Sequence, residues 1–177
     1  MYFASFPKIY YDSKGQGNPK VVTNLLRRVA IRTKVKSNAM LYDTYDVKNG
    51  DTPESIADKL YGDSNLHWVI LMVNNITDRF HQWPLMEQQF NTFVNEKYSN
   101  PDGIHHYEIT QSSGKQTGDG PDDYTHKIEV NSDTAGAQSV SNIEYEQRLQ
   151  DKKRQINLLL PAYLGAFEDE FTKLIRR

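Results

Sequence analysis

The residues whose chemistry could serve catalysis or ligand binding are five histidines, two tryptophans and two carboxylate clusters. His105 and His106 are adjacent in a stretch that alternates like a strand, so their side chains are expected on opposite faces, which suits no shared metal ion. His67, His81 and His126 show no ligand spacing. Glu168-Asp169-Glu170 and Asp122-Asp123 offer the paired carboxylates of a glycosidase. The first falls on the polar face of a C-terminal helix and the second in a loop, where such charge runs are simply solvated. The sequence has no Gly-x-Ser-x-Gly, no His-Glu-x-x-His and no phosphate-cradling glycine loop. It has no cysteine for nucleophilic attack, thiolate ligation or disulfides. Trp68 and Trp83 could stack on a sugar ring, but Trp68 lies in an almost wholly apolar stretch and reads as core. Trp83, beside Pro84, reads as a lid on the core or as an interface anchor. No catalytic residue, cofactor or metal ligand is expected.

The elements that carry these residues belong to a polar chain. Its 177 residues allow one modest core with appendages; 37% are hydrophobic, mean hydropathy is −0.73, and 11 tyrosines favour half-buried contact surfaces. No apolar run approaches the roughly 18 to 20 residues needed to span a bilayer. Residues 1–8 lack the charged-then-apolar order of a signal peptide, so a soluble protein outside the general secretory route and off the membrane is expected. The net charge of −2 is unevenly spread. Residues 1–38 hold eight Lys or Arg against Asp12 alone, +7 in all, which leaves −9 for the remainder. These cations are interleaved with Val21, Val22, Leu25, Leu26, Val29 and Ile31 instead of forming a dense basic run. The arm is therefore expected to dock on an acidic protein surface, its own or a neighbour's, and not on nucleic acid; Tyr10, Arg27 and Arg28 on the arm, and Trp83 beyond it, are the expected interface residues.

Five segments separate by composition. Residues 1–40 read as an extended basic arm with one short helix around residues 24–29. In residues 41–83, Leu41, Tyr42, Tyr45 and Val47 alternate as a strand. Thr52 then caps a helix with Pro53 at its first position and Gly62 at its end. A second helix through Leu66 to Val73 is apolar nearly all round and must be buried. Residues 84–100 read as a packing helix that starts at Pro84 and presents Met86, Phe90, Phe93 and Val94. In residues 101–138, two alternating runs, 105–110 and 124–130, flank Gly114, Gly118, Gly120 and Pro121, as a β-hairpin with a long, mobile tip. Residues 139–177 read as helix, strand and helix: a capping box at Ser141 and Glu144, a buried strand over 155–160, and a last helix from Pro161 with Leu164, Phe167, Phe171, Leu174 and Ile175 on one face.

The run Tyr45-Asp46-Val47-Lys48-Asn49-Gly50-Asp51-Thr52-Pro53-Glu54-Ser55-Ile56-Ala57, with Asn74-Asn75-Ile76 after the second helix, resembles a LysM module. Gly50 permits the tight turn, Asp51 or Thr52 satisfies free helix amides, and Ile56-Ala57 lets the helix approach the strand. The resemblance implies a β-α-α-β core whose second strand returns to pair with the first. It also implies a groove between Gly50, Asp51, Thr52 and Pro53 on one side and Asn74, Asn75, Ile76 and Thr77 on the other, where relatives that bind chitin or peptidoglycan hold the sugar. Two features point away from sugar: the helix connection Tyr61-Gly62-Asp63-Ser64-Asn65-Leu66-His67-Trp68 is unlike wall-binding copies, and a single module lacks the avidity of tandem ones.

That connection, with His67-Trp68-Val69-Ile70-Leu71-Met72-Val73-Asn74 and Trp83-Pro84-Leu85, is similar to the baseplate wedge family of T4-like phages. The stretches Thr23-Asn24-Leu25-Leu26-Arg27-Arg28-Val29 and Asn142-Ile143-Glu144-Tyr145-Glu146 extend the likeness to both ends. The segments together make an α+β fold, a LysM-like core with an arm, a hairpin insertion and a helix-strand-helix tail, and the likeness covers most of it, the hairpin least. The implied function is that of a non-enzymatic structural subunit of the virion, in the tail baseplate, assembled in the host cytoplasm. The implied partners are other wedge proteins, among them a lysozyme-like wedge subunit near the tube and sheath, the core-bundle wedge proteins and copies in adjacent wedges. The alternative is a peptidoglycan-binding module of a tail- or wall-associated protein.

Overall fold

A computed structural model describes residues 2–114 and 120–177. In chain order its elements are β1 (Lys8–Tyr11), β2 (Lys20–Thr23), α1 (Thr33–Lys36), β3 (Tyr42–Asp46), α2 (Pro53–Tyr61), α3 (His67–Val73), α4 (Arg79–Gln82), α5 (Glu87–Lys97), β4 (Ile104–Gln111), β5 (His126–Val130), β6 (Gln138–Ser141), α6 (Asn142–Arg154), β7 (Gln155–Leu159) and α7 (Pro161–Arg176). The mixture of helix and strand is the α+β class expected. The chain divides into two compact units, residues 1–84 with 153–177, and residues 85–152.

In the first unit, β3 pairs antiparallel with β7, Tyr42 opposite Leu159 and Asp46 opposite Gln155. The turn after β3 feeds α2 through a reciprocal cap. Thr52 Oγ1 accepts from the Ser55 N–H at 3.2 Å, and Ser55 Oγ accepts from the Thr52 N–H at 3.0 Å. Gly62, at φ 74°, closes the helix in the left-handed region, as its position in the sequence predicts. The apolar stretch before Asn74 forms α3, and it is apolar on two sides because two clusters claim it. Ile70 packs with Val47, Ile56, Trp83, Ile156 and Leu158. Trp68, Val69 and Val73 pack with Phe6, Leu159, Phe171 and Ile175. Ile70 has no exposed surface, so its truncation to alanine costs about 2–5 kcal/mol. The Tyr61 hydroxyl donates to the Leu159 carbonyl at 2.9 Å. Burial pushes that phenol up to about 12 despite the hydrogen bond, so it stays a donor at neutral pH.

Three expectations are corrected in this unit. The second strand does not form within residues 41–83. Its place beside β3 is taken by β7, whose Ile156, Leu158 and Leu159 are buried, whereas residues 77–82 are mostly polar and coil into α4 under an Asp78 cap. No helix forms over residues 24–29. Instead β1 and β2 make an antiparallel hairpin, Ile9 opposite Val22 and Tyr10 opposite Val21. The Asp12 carboxylate shapes its turn by accepting from the N–H groups of Lys14 and Gly17. Downstream, Val29 and Ile31 are two residues apart, a strand-like spacing, and both pack against the Trp68 cluster as a strap. The third correction concerns α7, which packs Leu164, Phe167, Phe171 and Ile175 inward but leaves Leu174 40% exposed.

In the second unit β4 is the centre of an antiparallel sheet ordered β5-β4-β6. The β4–β5 hairpin follows the sequence pattern, while β6 is a third strand the pattern did not reveal. Residues 115–119 of the expected tip, with Gly118, lie outside the described residues. The packing helix starts at Glu87, not at Pro84, because Met86 is extended at ψ 151° and serves as the cap, its N–H donating to Gln89 Oε1; the Leu85 N–H donates to Gln150 Oε1 at 3.0 Å. Among the described residues the buried apolar side chains of this unit are Phe90, Val94 and Val140, accompanied by buried Glu108, Glu146 and Gln150. Such a polar interior is tolerable only when paired. Glu108 takes a bidentate bond from Arg148 at 2.7 and 2.9 Å and a third from Lys127. Glu146 accepts from Lys97 Nζ at 2.6 Å and from the Tyr98 hydroxyl at 2.8 Å.

Candidate protein-interaction surface

The loop before α2 and the loop after α3 supply the eight groove residues named from the sequence, and most of them are engaged within the chain. Gly50 holds φ 88° in the turn. The Asp51 carboxylate accepts from the Tyr45 hydroxyl at 2.7 Å, from the Lys48 N–H at 3.2 Å and from Lys59 Nζ at 2.9 Å. Burial pushes its pKa up, but these bonds outweigh burial and hold the carboxyl below its ordinary range. Thr52 is occupied in the helix cap, and Pro53 is buried. Across the module, Asn74 Nδ2 donates to the carbonyls of Ile70 and Asn157, and its Oδ1 accepts from the Asn157 N–H. Asn75, at φ 55°, accepts from Arg28 Nη2 at 3.1 Å. Ile76 packs on the Ile70 cluster. Of the eight, Gly50, Asn75 and Thr77 remain exposed.

The segment 79–83 ties both loops together. Arg79 forms an ion pair with Glu54, and Trp83 Nε1 donates to the Asp51 carbonyl at 3.0 Å. At the other loop, Gln82 Oε1 accepts from the N–H groups of Thr77 and Asp78 at 2.7 and 2.9 Å. Trp83 is only 8% exposed. Of the two roles its position suggested, the structure shows the lid on the core; an interface anchor would need more free surface. Trp68 is buried in the core, as its apolar neighbourhood predicts.

The remaining residues expected at an interface lie on the arm. Tyr10 is 78% exposed on the β1–β2 hairpin. Arg27 is exposed and donates to the Ile175 carbonyl, and Arg28 lies beside Asn75. Sequence reasoning missed the partners of Tyr10. Ile9, Tyr11, Val21 and Val22 are all exposed, and the cross-strand pairs Ile9–Val22 and Tyr10–Val21 put apolar surface on both faces of the hairpin. The signal was present as two short runs of β-branched and aromatic residues around a turn-rich stretch. A two-stranded hairpin is marginal in water unless it packs on something.

Among the described residues no group of three or more His, Cys, Asp or Glu side chains could hold a metal ion. The expectation that His105 and His106 point apart is corrected. A register shift between Ile104 and His106 brings their Nδ1 atoms to 2.9 Å, and His105 stacks on Tyr145 with centroids 3.9 Å apart.

The profile of the family described as base plate wedge protein 53 matches residues 1–115. The chain is 28% identical over 106 residues to the baseplate wedge protein gp53 of Enterobacteria phage T4, an alignment covering 58% of this chain and 54% of that protein. The chain thus spans about half the length of the curated relative it matches.

Proposed function

The chain belongs to the base plate wedge protein 53 family, and on that premise we propose that it is a non-enzymatic structural component of a contractile-tail baseplate. It joins neighbouring wedges by protein–protein contacts as the baseplate closes around the hub. Its partners are other wedge proteins: the lysozyme-like subunit near the tube and sheath, the core-bundle proteins, and copies of itself in adjacent wedges. It acts in the virion. Among the described residues no helix is long and apolar enough to cross a membrane.

The observation that carries this reading is the β1–β2 hairpin, whose apolar pairs are exposed on both faces and flanked by exposed Lys8 and Lys20. Contiguous apolar surface of this kind is stabilised by covering it with another protein, and the cations favour an acidic one. Wall binding is supported less well, because Asp51, Thr52 and Asn74 already spend their polar groups on the chain itself.

The test mixes the purified chain with the other wedge proteins of its phage and with insoluble peptidoglycan together. Co-elution with wedge proteins and no pelleting is the expected result. Saturable pelleting that persists in the presence of wedge proteins would overturn the proposal in favour of wall binding.

A further inference from the structure

Two cavities of about 550 Å³ each flank the strap at Arg28, Val29 and Ala30 and share these residues and Met72 as a common wall. One is floored by Trp68 and Leu71 and the other by Phe167 and Phe171. Each is of the size that holds several side chains of a bound ligand. Arg28 stands at both, Arg32 and Glu170 line the second, and no acidic residue lines the first. Among the described residues no carboxylate pairs with Arg28 or Arg32. Just upstream, Leu25 and Leu26 stand 62% and 94% exposed, which extends the apolar surface along the strap.

We propose that the two cavities form one groove that takes a short segment of another baseplate protein, with apolar side chains seated on either side of the strap and a carboxylate beside them on Arg28. The inference rests on the baseplate reading above and names the surface that serves it. A pair of cavities strung along a strap suits an extended or helical segment better than a compact small molecule. The apolar floor with two arginines suits a protein better than nucleic acid, whose phosphates call for a run of cations. Arg28 commits Nη2 to Asn75, and its remaining N–H groups can bind a carboxylate in a charge-assisted pair.

The experiment places a photoreactive phenylalanine analogue at Leu26 of the full chain, 94% exposed just upstream of the strap, and in a second sample at Asn65 on the lip of the first cavity. Each is irradiated with the purified wedge proteins of the same phage. Cross-links should fall on one segment in which Asp or Glu adjoins Leu, Ile, Phe or Trp. Arg28→Glu should lower their yield roughly tenfold, and filling the groove with Ala30→Trp in the Asn65-labelled chain should do the same, with the circular dichroism spectrum unchanged in both. Entry into wedges without a cross-link from either position would overturn the groove and leave the baseplate reading standing. So would cross-links scattered over many proteins, or yields unaffected by both substitutions. Cross-links to nucleic acid would overturn it too. If even the unlabelled chain fails to enter wedges, the baseplate reading falls, and the groove with it.

Discussion

The side-chain amide of Asn74 hydrogen-bonds the backbone of Asn157 in both directions, Nδ2 to the carbonyl and the N–H to Oδ1, each at 2.8 Å. An asparagine at the end of α3 thereby acts as a further rung on β7, 83 positions along the chain. It also draws on the Ile70 carbonyl at 2.9 Å, so the strand is locked to the helix it covers. Asn74→Ala leaves the Asn157 peptide half-buried and unpaired and should cost about 2–3 kcal/mol. Asn74→Asp should cost more, because it sets a carboxylate against the Asn157 carbonyl. Denaturant unfolding of the full chain measures both.

Glu108 gives a pH prediction for the second unit. The hydrogen bonds from Arg148, helped by Lys127 and opposed by burial, lower its pKa from the ordinary 4.5 to about 2. The unfolded chain therefore takes up the proton first. The stability this carboxylate contributes is complete above about pH 4.5 and is lost as pH falls toward 2. Thermal melts of the wild type and of Glu108→Gln should converge through that interval. At neutral pH the substitution should cost about 3 kcal/mol, since it leaves Arg148 and Lys127 facing a neutral amide.

The turn at Asp51 separates folding from assembly. Tyr45→Phe removes the hydroxyl that donates to Asp51 Oδ2 and should lower stability by about 1 kcal/mol. If the loop serves the fold, incorporation into wedges at a temperature well below the melt should be unchanged. A parallel loss of incorporation would show that the loop meets a partner.

The hairpin should behave in the opposite way. Tyr10 contributes exposed surface only, so Tyr10→Asp should leave the melting temperature of the isolated chain within experimental error. It should nevertheless weaken co-elution with wedge proteins roughly tenfold. Equilibrium unfolding alongside quantitative co-elution reads both quantities.

What was legible in the sequence was local. The strand before Lys48, the Thr52 cap, Pro53 at the first helical position and the Gly62 stop are set by neighbours a few residues apart, and all appear where the pattern put them. The buried strand at Ile156 and Leu158 was also visible, but its partner was not. Periodicity says that a strand is covered on both faces and is silent about which strand lies alongside it. The nearer candidate lost because residues 77–82 offer little apolar surface. Alternation alone could not reveal the bulge at His105, which undoes the opposite-faces rule for one pair. Of the site, Tyr10, Arg27 and Arg28 were readable as exposed, mixed-character arm residues. Which of its two roles Trp83 takes was not readable, because that depends on the Asp51 carbonyl 32 positions away. Neither were the cavities, which exist only once the strap crosses α3.

The central claim, that this chain joins wedges, is tested most directly by reconstituting separate wedges from the other purified wedge proteins and following closure into rings by sedimentation velocity, with and without the chain. The account predicts single wedges in its absence, closed assemblies containing it when it is added, and single wedges again with Tyr10→Asp. Rings that close equally well without the chain would contradict it.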